Sequence, residues 1–218
     1  MVRNEIMIID MHVHTRAFSP CSRIDPEEAI KKAKEIGLDG LCFTEHEITW
    51  KSEDIQRLRQ KWNFPVFCGI EVATSEGHIL VFGLKEEQRD LLYIQKFRDL
   101  QDVVNLAQGV MIVAHPLRSL ILTETLNLQA IIRDACTKRV FQMVEAIEIY
   151  NGKSTEKENE LTREISTRLS VKGVGGSDAH YPQDIGRCIT FFENTFTSEE
   201  QLAAELKMGR FKARYFRK

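Results

Sequence analysis

All six histidines of this 218-residue chain, His12, His14, His46, His78, His115 and His180, stand where they could hold a metal, and most follow a short apolar run of β character. They lie in Asp-Met-His-Val-His, Thr-Glu-His-Glu, Gly-Ile-Glu-Val-Ala-Thr-Ser-Glu-Gly-His, Val-Ala-His-Pro and Gly-Gly-Ser-Asp-Ala-His. Alternate residues of a strand face the same side, which pre-pairs His12 with His14 and Asp178 with His180. Imidazole nitrogen with carboxylate oxygen suits zinc, manganese or iron. The donors suffice for two ions, and Glu71, with two oxygens and a negative charge, can bridge them. Two ions about 3.5–4 Å apart would hold a bridging hydroxide and grip the free oxygens of a phosphate ester. A water so bound loses its proton near about pH 7. Arg118 follows His115-Pro116 closely, and its guanidinium can bind two phosphate oxygens. Arg16 and Arg187 are further cations for the mouth of such a site.

Each motif taken singly has a plainer reading. His-x-His on a strand and His115-Pro116 at a strand end both fit structural roles, and Asp178 can cap the segment after it. His78 can point outward from the start of its strand, and Arg118 and Arg187 can pair with surface acids. Taken jointly, the plain readings require the same coincidence at every strand end.

The elements that must position these groups alternate between short apolar runs and helical stretches. Strands are expected at Ile6–Met11, Gly40–Phe43, Val66–Ile70, His78–Gly83, Val110–Ala114, Ala146–Ile149, Gly173–Gly176 and Cys188–Phe192. Helices are expected from Asp25, with Pro26 in the first turn, Glu28 closing a capping box and Gly37 ending it. Others are expected at Ser52–Lys61, Gln88–Ala107, within Thr123–Arg139, at Thr155–Leu169 and after Thr197-Ser198-Glu199-Glu200. The alternation argues for an α/β fold with a parallel sheet. The candidate ligands lie at five or more strand ends along the whole chain, which only a closed barrel brings to one mouth. The fold class is therefore a distorted barrel with about seven strands.

Bulk composition is that of an ordinary globular chain, 43% hydrophobic and 28% charged, and the length suits one domain over residues 1–218. The net charge of −2 gives no general attraction to nucleic acid or anionic lipid. No apolar run reaches membrane-spanning length, and the N-terminal residues run into a strand without a signal-peptide layout. The five cysteines (Cys21, Cys42, Cys68, Cys136, Cys188) are scattered, so free thiols and a cytoplasmic location are expected. The basic residues of Gly209–Lys218 read as a solvated tail, or less simply as an attractant for a polyanion. Between Arg118 and Arg139 lies a variable-looking wall with Leu120, Ile121, Leu122, Leu126 and Leu128, whose simplest role is packing.

The motifs Asp10-Met11-His12-Val13-His14-Thr15, Thr44-Glu45-His46, Gly69-Ile70-Glu71, Ala114-His115-Pro116, Glu148-Ile149-Tyr150-Asn151 and Ser177-Asp178-Ala179-His180 resemble, in order and spacing, the PHP (polymerase and histidinol phosphatase) family of metal-dependent phosphoesterases. The resemblance implies a distorted (β/α)7 TIM-like barrel of PHP type with two or three divalent metal ions (Zn, Mn or Fe). Carried over by position, His12, His14, Glu71 and Asp178 would hold one ion. Glu71, His115 and His78 would hold a second, and His46 and His180 would serve a third. Two departures bear on the third ion. Ser19-Pro20-Cys21-Ser22 stands where the family often has an acidic residue or histidine, leaving Cys21 or Asp25 as substitutes, and Thr-Glu-His stands where Thr-Asp-His is common.

The expected activity is hydrolysis of a phosphomonoester or phosphodiester by a metal-bridging hydroxide, with Asp178 or His180 moving the proton and Arg118 binding phosphate. The expected substrate is a phosphorylated small molecule or short oligonucleotide, with no membrane involved. The runner-up is a TatD-like metal-dependent nuclease or amidohydrolase on a similar barrel. A further alternative is a non-catalytic, metal-stabilised PHP module.

Overall fold

The computed structural model describes residues 6–84, 94, 96–119 and 127–216. The first half runs β1 (Met7–Val13), α1 (Pro26–Glu35), β2 (Gly40–His46), α2 (Ser52–Trp62), β3 (Val66–Thr74), β4 (Gly77–Phe82), α3 (Phe97–Ala107) and β5 (Val110–Val113). The second runs α4 (Leu128–Thr137), β6 (Ala146–Asn151), α5 (Glu156–Leu169), β7 (Lys172–Gly176), β8 (Cys188–Phe192), α6 (Glu199–Met208) and β9 (Phe211–Tyr215). Residues 88–93 and 95 of the expected third helix lie outside the described residues, as do 123–126 of the fourth and the wall residues Leu120, Ile121, Leu122 and Leu126.

Local chemistry accounts for the helix ends. Asp25 accepts from the Glu27 and Glu28 amides at 3.0 and 3.4 Å, and Pro26 opens α1 with its fixed φ. Ala29, Ile30 and Ala33 form its buried face. The reciprocal capping box belongs to α5, where Thr155 and Glu158 exchange side-chain-to-backbone bonds.

The strands form one sheet in the order β7-β6-β5-β4-β3-β2-β1-β8-β9. It is mixed, which corrects the expectation of a parallel sheet. β1, β2 and β3 pair in parallel, as do β5, β6 and β7, but β4 is antiparallel to both of its neighbours. The reason is connection length: only Ser75 and Glu76 separate β3 from β4, a hairpin that leaves no chain for a crossover. β8 and β9 add antiparallel pairs beyond β1. Residues 211–215 of the expected basic tail are strand β9, with Phe211 buried and Lys212 and Arg214 exposed, while 217 and 218 lie outside the described residues. Lysine and arginine on an outermost strand discourage further pairing.

The sheet closes where β7 meets β1 and β8. Val13 bridges to Ala179, and Thr190 Oγ1 bonds both the amide and the carbonyl of Gly175, at 2.9 and 3.0 Å. Buried Asp10 ties the seam from the other side, accepting from the Ser177 and Gly186 amides at 2.8 Å each. Two glycines permit this approach. A Cβ on Gly175 would lie 2.6 Å from the Ile189 carbonyl oxygen, and one on Gly176 would lie 2.4 Å from His12 Cβ. Met7, Ile9, Met11, Phe67, Phe82 and Val110 form one core with Leu202 and Leu206 of α6, which sits at the end where β1 begins. Two further cores lie under α1–α2 and under α3–α5. Among the described residues no helix is long and apolar enough to cross a membrane.

Candidate metal centre

The parallel strands point their C-terminal ends at one rim, and every expected ligand arrives there. His12 and His14 come from the end of β1, with Nε2 atoms 3.0 Å apart. His46 ends β2 and is in register with Glu71 on β3. His78 reaches the same rim because β4 runs backwards. His115 follows β5, and Asp178 and His180 follow β7 in a loop, not on a strand as expected. His115 and Asp178 both have positive φ, 29° and 52°. Such backbone is costly for a side-chain-bearing residue and recurs at functional sites.

Glu71 is the centre of the arrangement. Its Oε2 faces His46 Nδ1 at 3.0 Å, His14 Nε2 at 3.2 Å and His12 Nε2 at 3.5 Å. Its Oε1 faces His115 Nε2 at 2.8 Å and His78 Nδ1 at 2.9 Å. Asp178 draws on both sets, with Oδ1 3.5 Å from His14 Nε2 and Oδ2 3.8 Å from His115 Nε2. Four overlapping trios therefore have ligand atoms within 4.8 Å of one another: His12-His14-Glu71, Glu71-His78-His115, His12-His115-Asp178 and His14-His46-His180. Imidazoles and carboxylates in this mixture, the carboxylates buried and the imidazoles buried or half-buried, suit divalent ions.

The buried charges act on one another. Burial alone would push His12 down, but the charges of Glu148, Asp178 and Glu71 outweigh it and hold the imidazole well above its ordinary 6.5. His14 is pushed down to about 3 by burial, with the His12 charge adding to it. Burial opposes ionisation of Glu71, yet the charge of His12 and bonds from His115, His12 and His14 hold it well below its ordinary 4.5. Asp178 is likewise depressed, against burial, by His12 and Arg118. For the metal-free protein, the Glu71 and Asp178 contributions to stability are complete above about pH 4.5 and lost as pH falls. The His12 contribution is complete below about 6.5 and lost as pH rises through its raised value. The His14 contribution is complete above about 6.5 and lost as pH falls, so a chelated sample should lose stability toward acid through His14, Glu71 and Asp178, and on the alkaline side through His12. A metal-loaded one should keep its stability on the alkaline side, where ions replace the His12 proton. Identical thermal-melting profiles for both samples across pH 4–9 would contradict this.

Residues quoted in the motifs without a role of their own brace the ligands from outside. Glu148 Oε1 lies 3.0 Å from His12 Nδ1, and its Oε2 accepts from the His115 amide and from Asn151 Nδ2, both at 3.0 Å. In Glu148→Gln one of those donors would face an amide NH2, so metal affinity should fall about 10–100-fold with the fold retained. A competition titration with a chromogenic chelator measures it, and unchanged affinity would refute the bracing role. Glu45, the longer acid of Thr-Glu-His, receives Thr15 Oγ1 at 2.5 Å, Ser19 Oγ at 2.6 Å and Trp50 Nε1 at 3.0 Å. Ser19 Oγ also lies 3.3 Å from His14 Nδ1, so Glu45 braces the loop after β1. Asp25 is occupied by the α1 cap and by Arg16 at 2.8 Å, and Cys21 is exposed and in none of the trios.

Of the three arginines considered, Arg118 alone reaches the cluster, with Nη2 on Asp178 Oδ2 and 2.7 Å from Asn151 Oδ1. Arg16 pairs with Asp25 on the surface, and the exposed Arg187 pairs with the buried Asp184. A cation missed in the sequence, Lys153, places Nζ 2.7 Å from His180 Nδ1 and 3.7 Å from Asp178 Oδ1.

The PHP domain family matches residues 10–149, and a PHP-associated family matches residues 156–211. The chain belongs to the PHP family. An uncharacterized protein of Methanocaldococcus jannaschii is 27% identical over 90 residues, which are 37% of this chain and 53% of that protein. The chain thus spans about half the length of the curated relative it matches. Among solved structures, a two-domain Bacteroides vulgatus protein described as containing a predicted PHP-like metal-dependent phosphoesterase aligns with TM-score 0.70 at 18% identity, over 97% of this chain and 65% of that one. An amidohydrolase from Chromobacterium violaceum with bound sulfate and no metal aligns with TM-score 0.59 at 18% identity, over 90% of this chain and 96% of that one. These likenesses show the PHP barrel fold, and the family supports a metal-dependent hydrolase.

Proposed function

We propose that this PHP domain is a phosphoesterase that hydrolyses a phosphomonoester or phosphodiester with two or three divalent ions (zinc, manganese or iron) at the histidine cluster. The observation that carries the reading is the division of Glu71: one oxygen serves His46, His14 and His12, the other His115 and His78. A carboxylate so divided fits two neighbouring ions. Bound there, such ions would supply Lewis-acid activation of water and neutralise phosphate charge. The chain's own groups supply the rest. Arg118 holds the Asp178 carboxylate and keeps its buried Nε without a partner among the described residues, a donor free for an anion. Asp178, or His180 where it carries no ion, is our candidate for taking a proton from water, the two lying 3.5 Å apart at Oδ1 and Nδ1.

The fitting substrate is a phosphorylated small molecule or short oligonucleotide, and the five scattered cysteines, with no C-x-x-C, suit a reducing cytoplasm. A second reading, hydrolysis of a carbon-centred ester or amide, draws on the amidohydrolase among the structural neighbours. The test is a panel of aryl phosphate mono- and diesters, aryl esters and anilides on protein stripped with chelator and refilled with manganese. Chelator-sensitive release from a phosphate ester is expected. Inertness on both phosphate classes would remove the proposal, and turnover confined to the carbon-centred substrates would transfer it to the second reading.

A further inference from the structure

We infer that Lys153, acting beside Arg118, binds the third terminal oxygen of a phosphate and makes this site selective for monoesters over diesters. The inference rests on the phosphoesterase reading above.

Lys153 is delivered by a braced loop after β6. Asn151 Oδ1 accepts from the Lys153 and Ser154 amides at 2.9 and 3.1 Å and from Arg118 Nη2 at 2.7 Å, so one side chain positions both cations. Gly152 lets the loop lie against the β7 end, since a Cβ there would sit 2.5 Å from the Ser177 carbonyl oxygen. The Gly152 amide bonds the Gly176 carbonyl at 3.0 Å. The two cations take opposite oxygens of Asp178, Arg118 on Oδ2 and Lys153 near Oδ1.

The nearest partner of Lys153 is one it cannot keep. His180 Nδ1 lies 2.7 Å from Lys153 Nζ and 3.0 Å from the Asp178 carbonyl oxygen. An ammonium only donates and a carbonyl only accepts, so the ring nitrogen can satisfy one of them at a time. An ion on Nε2 requires the proton on Nδ1, which then goes to the carbonyl. An ion on Nδ1 takes the lone pair directly. Either way an occupied His180 leaves the Lys153 ammonium without its ring acceptor, about one-third exposed at the mouth. Arg118 Nε, buried and unpartnered among the described residues, is a second unused donor.

Two vacant donors on fixed cations call for an anion with charge left after the ions are satisfied. A phosphodiester has one negative charge and two terminal oxygens, both of which a pair of ions can grip. A phosphomonoester has a third terminal oxygen and a second charge, and these are what Lys153 and Arg118 are placed to receive.

The test uses the full metal-loaded chain with p-nitrophenyl phosphate, bis(p-nitrophenyl) phosphate and, in calorimetry, inorganic phosphate. Wild type should have the higher kcat/KM on the monoester. Lys153→Met should lower that value about ten- to a hundredfold, mainly through KM, the range expected for one charged hydrogen bond. Its affinity for inorganic phosphate should fall in proportion at unchanged metal content, and Lys153→Arg should restore part of both. A wild-type preference for the diester, a Lys153→Met protein with undiminished phosphate affinity, or loss of metal in that variant would overturn the inference. Wild-type inertness on both esters would instead sink the phosphoesterase reading, while phosphate binding would still decide the role of Lys153.

Discussion

Replacing Glu71 with alanine is expected to empty both ion positions that share it and to lower hydrolysis by about a hundredfold to ten-thousandfold. Glu71 is 2% exposed, and five imidazoles contact its two oxygens. Removing one member of a buried charge pair costs about 3–5 kcal/mol, which is a factor of about a hundred to several thousand in affinity. Here the same carboxylate is shared by two candidate ions, so both losses fall on one substitution. The fold should survive, because the seam rests on Asp10, Thr190 and the β7 glycines and the apolar cores do not contain Glu71. Metal analysis after dialysis, beside circular dichroism and turnover of an aryl phosphate, measures all three effects. Full metal content in a folded variant would end the bridging assignment.

The second large effect is expected of Gly176→Ala, a change of one methyl group. That methyl would sit 2.4 Å from His12 Cβ and 2.8 Å from both the His12 backbone nitrogen and Glu148 Oε1. Backbone atoms of a closed sheet cannot step aside as a flexible side chain would. Forced overpacking of this kind costs on the order of 3 kcal/mol. The displaced atoms belong to a candidate ligand and to the acid that orients it, so metal affinity should fall about 10–100-fold as well. Denaturant titration and metal titration of the same preparation separate the two losses. Stability and affinity both near wild type would show that β7 does not press on the site as described.

How much of this was legible beforehand follows from the range over which each feature is determined. His12, His14, Glu71, His115, Asp178 and His180 could be named because each motif is short and its residue types are rare in such company. The α1 start was readable because Asp25 and Pro26 act within one turn. The direction of β4 departs from the expected parallel sheet although its cause is equally local, the two-residue connection from Thr74 to Gly77. From sequence β9 reads as a solvated tail because its exposed side chains are basic, while its strand character depends on pairing with β8.

The chain by itself thus determined which groups can do chemistry and that they lie at strand ends, since residue type and local periodicity need no partner. Only the tertiary structure decided how the oxygens of Glu71 divide, that Glu148 orients His12 across 136 residues, and that Lys153 and not Arg16 or Arg187 joins Arg118. Those facts arise across the rim of the barrel and, for Glu148 and His12, across the seam where the two ends of the sheet meet. Distances across such a seam are set by packing of the whole barrel and leave no signature in the spacing of neighbours along the chain.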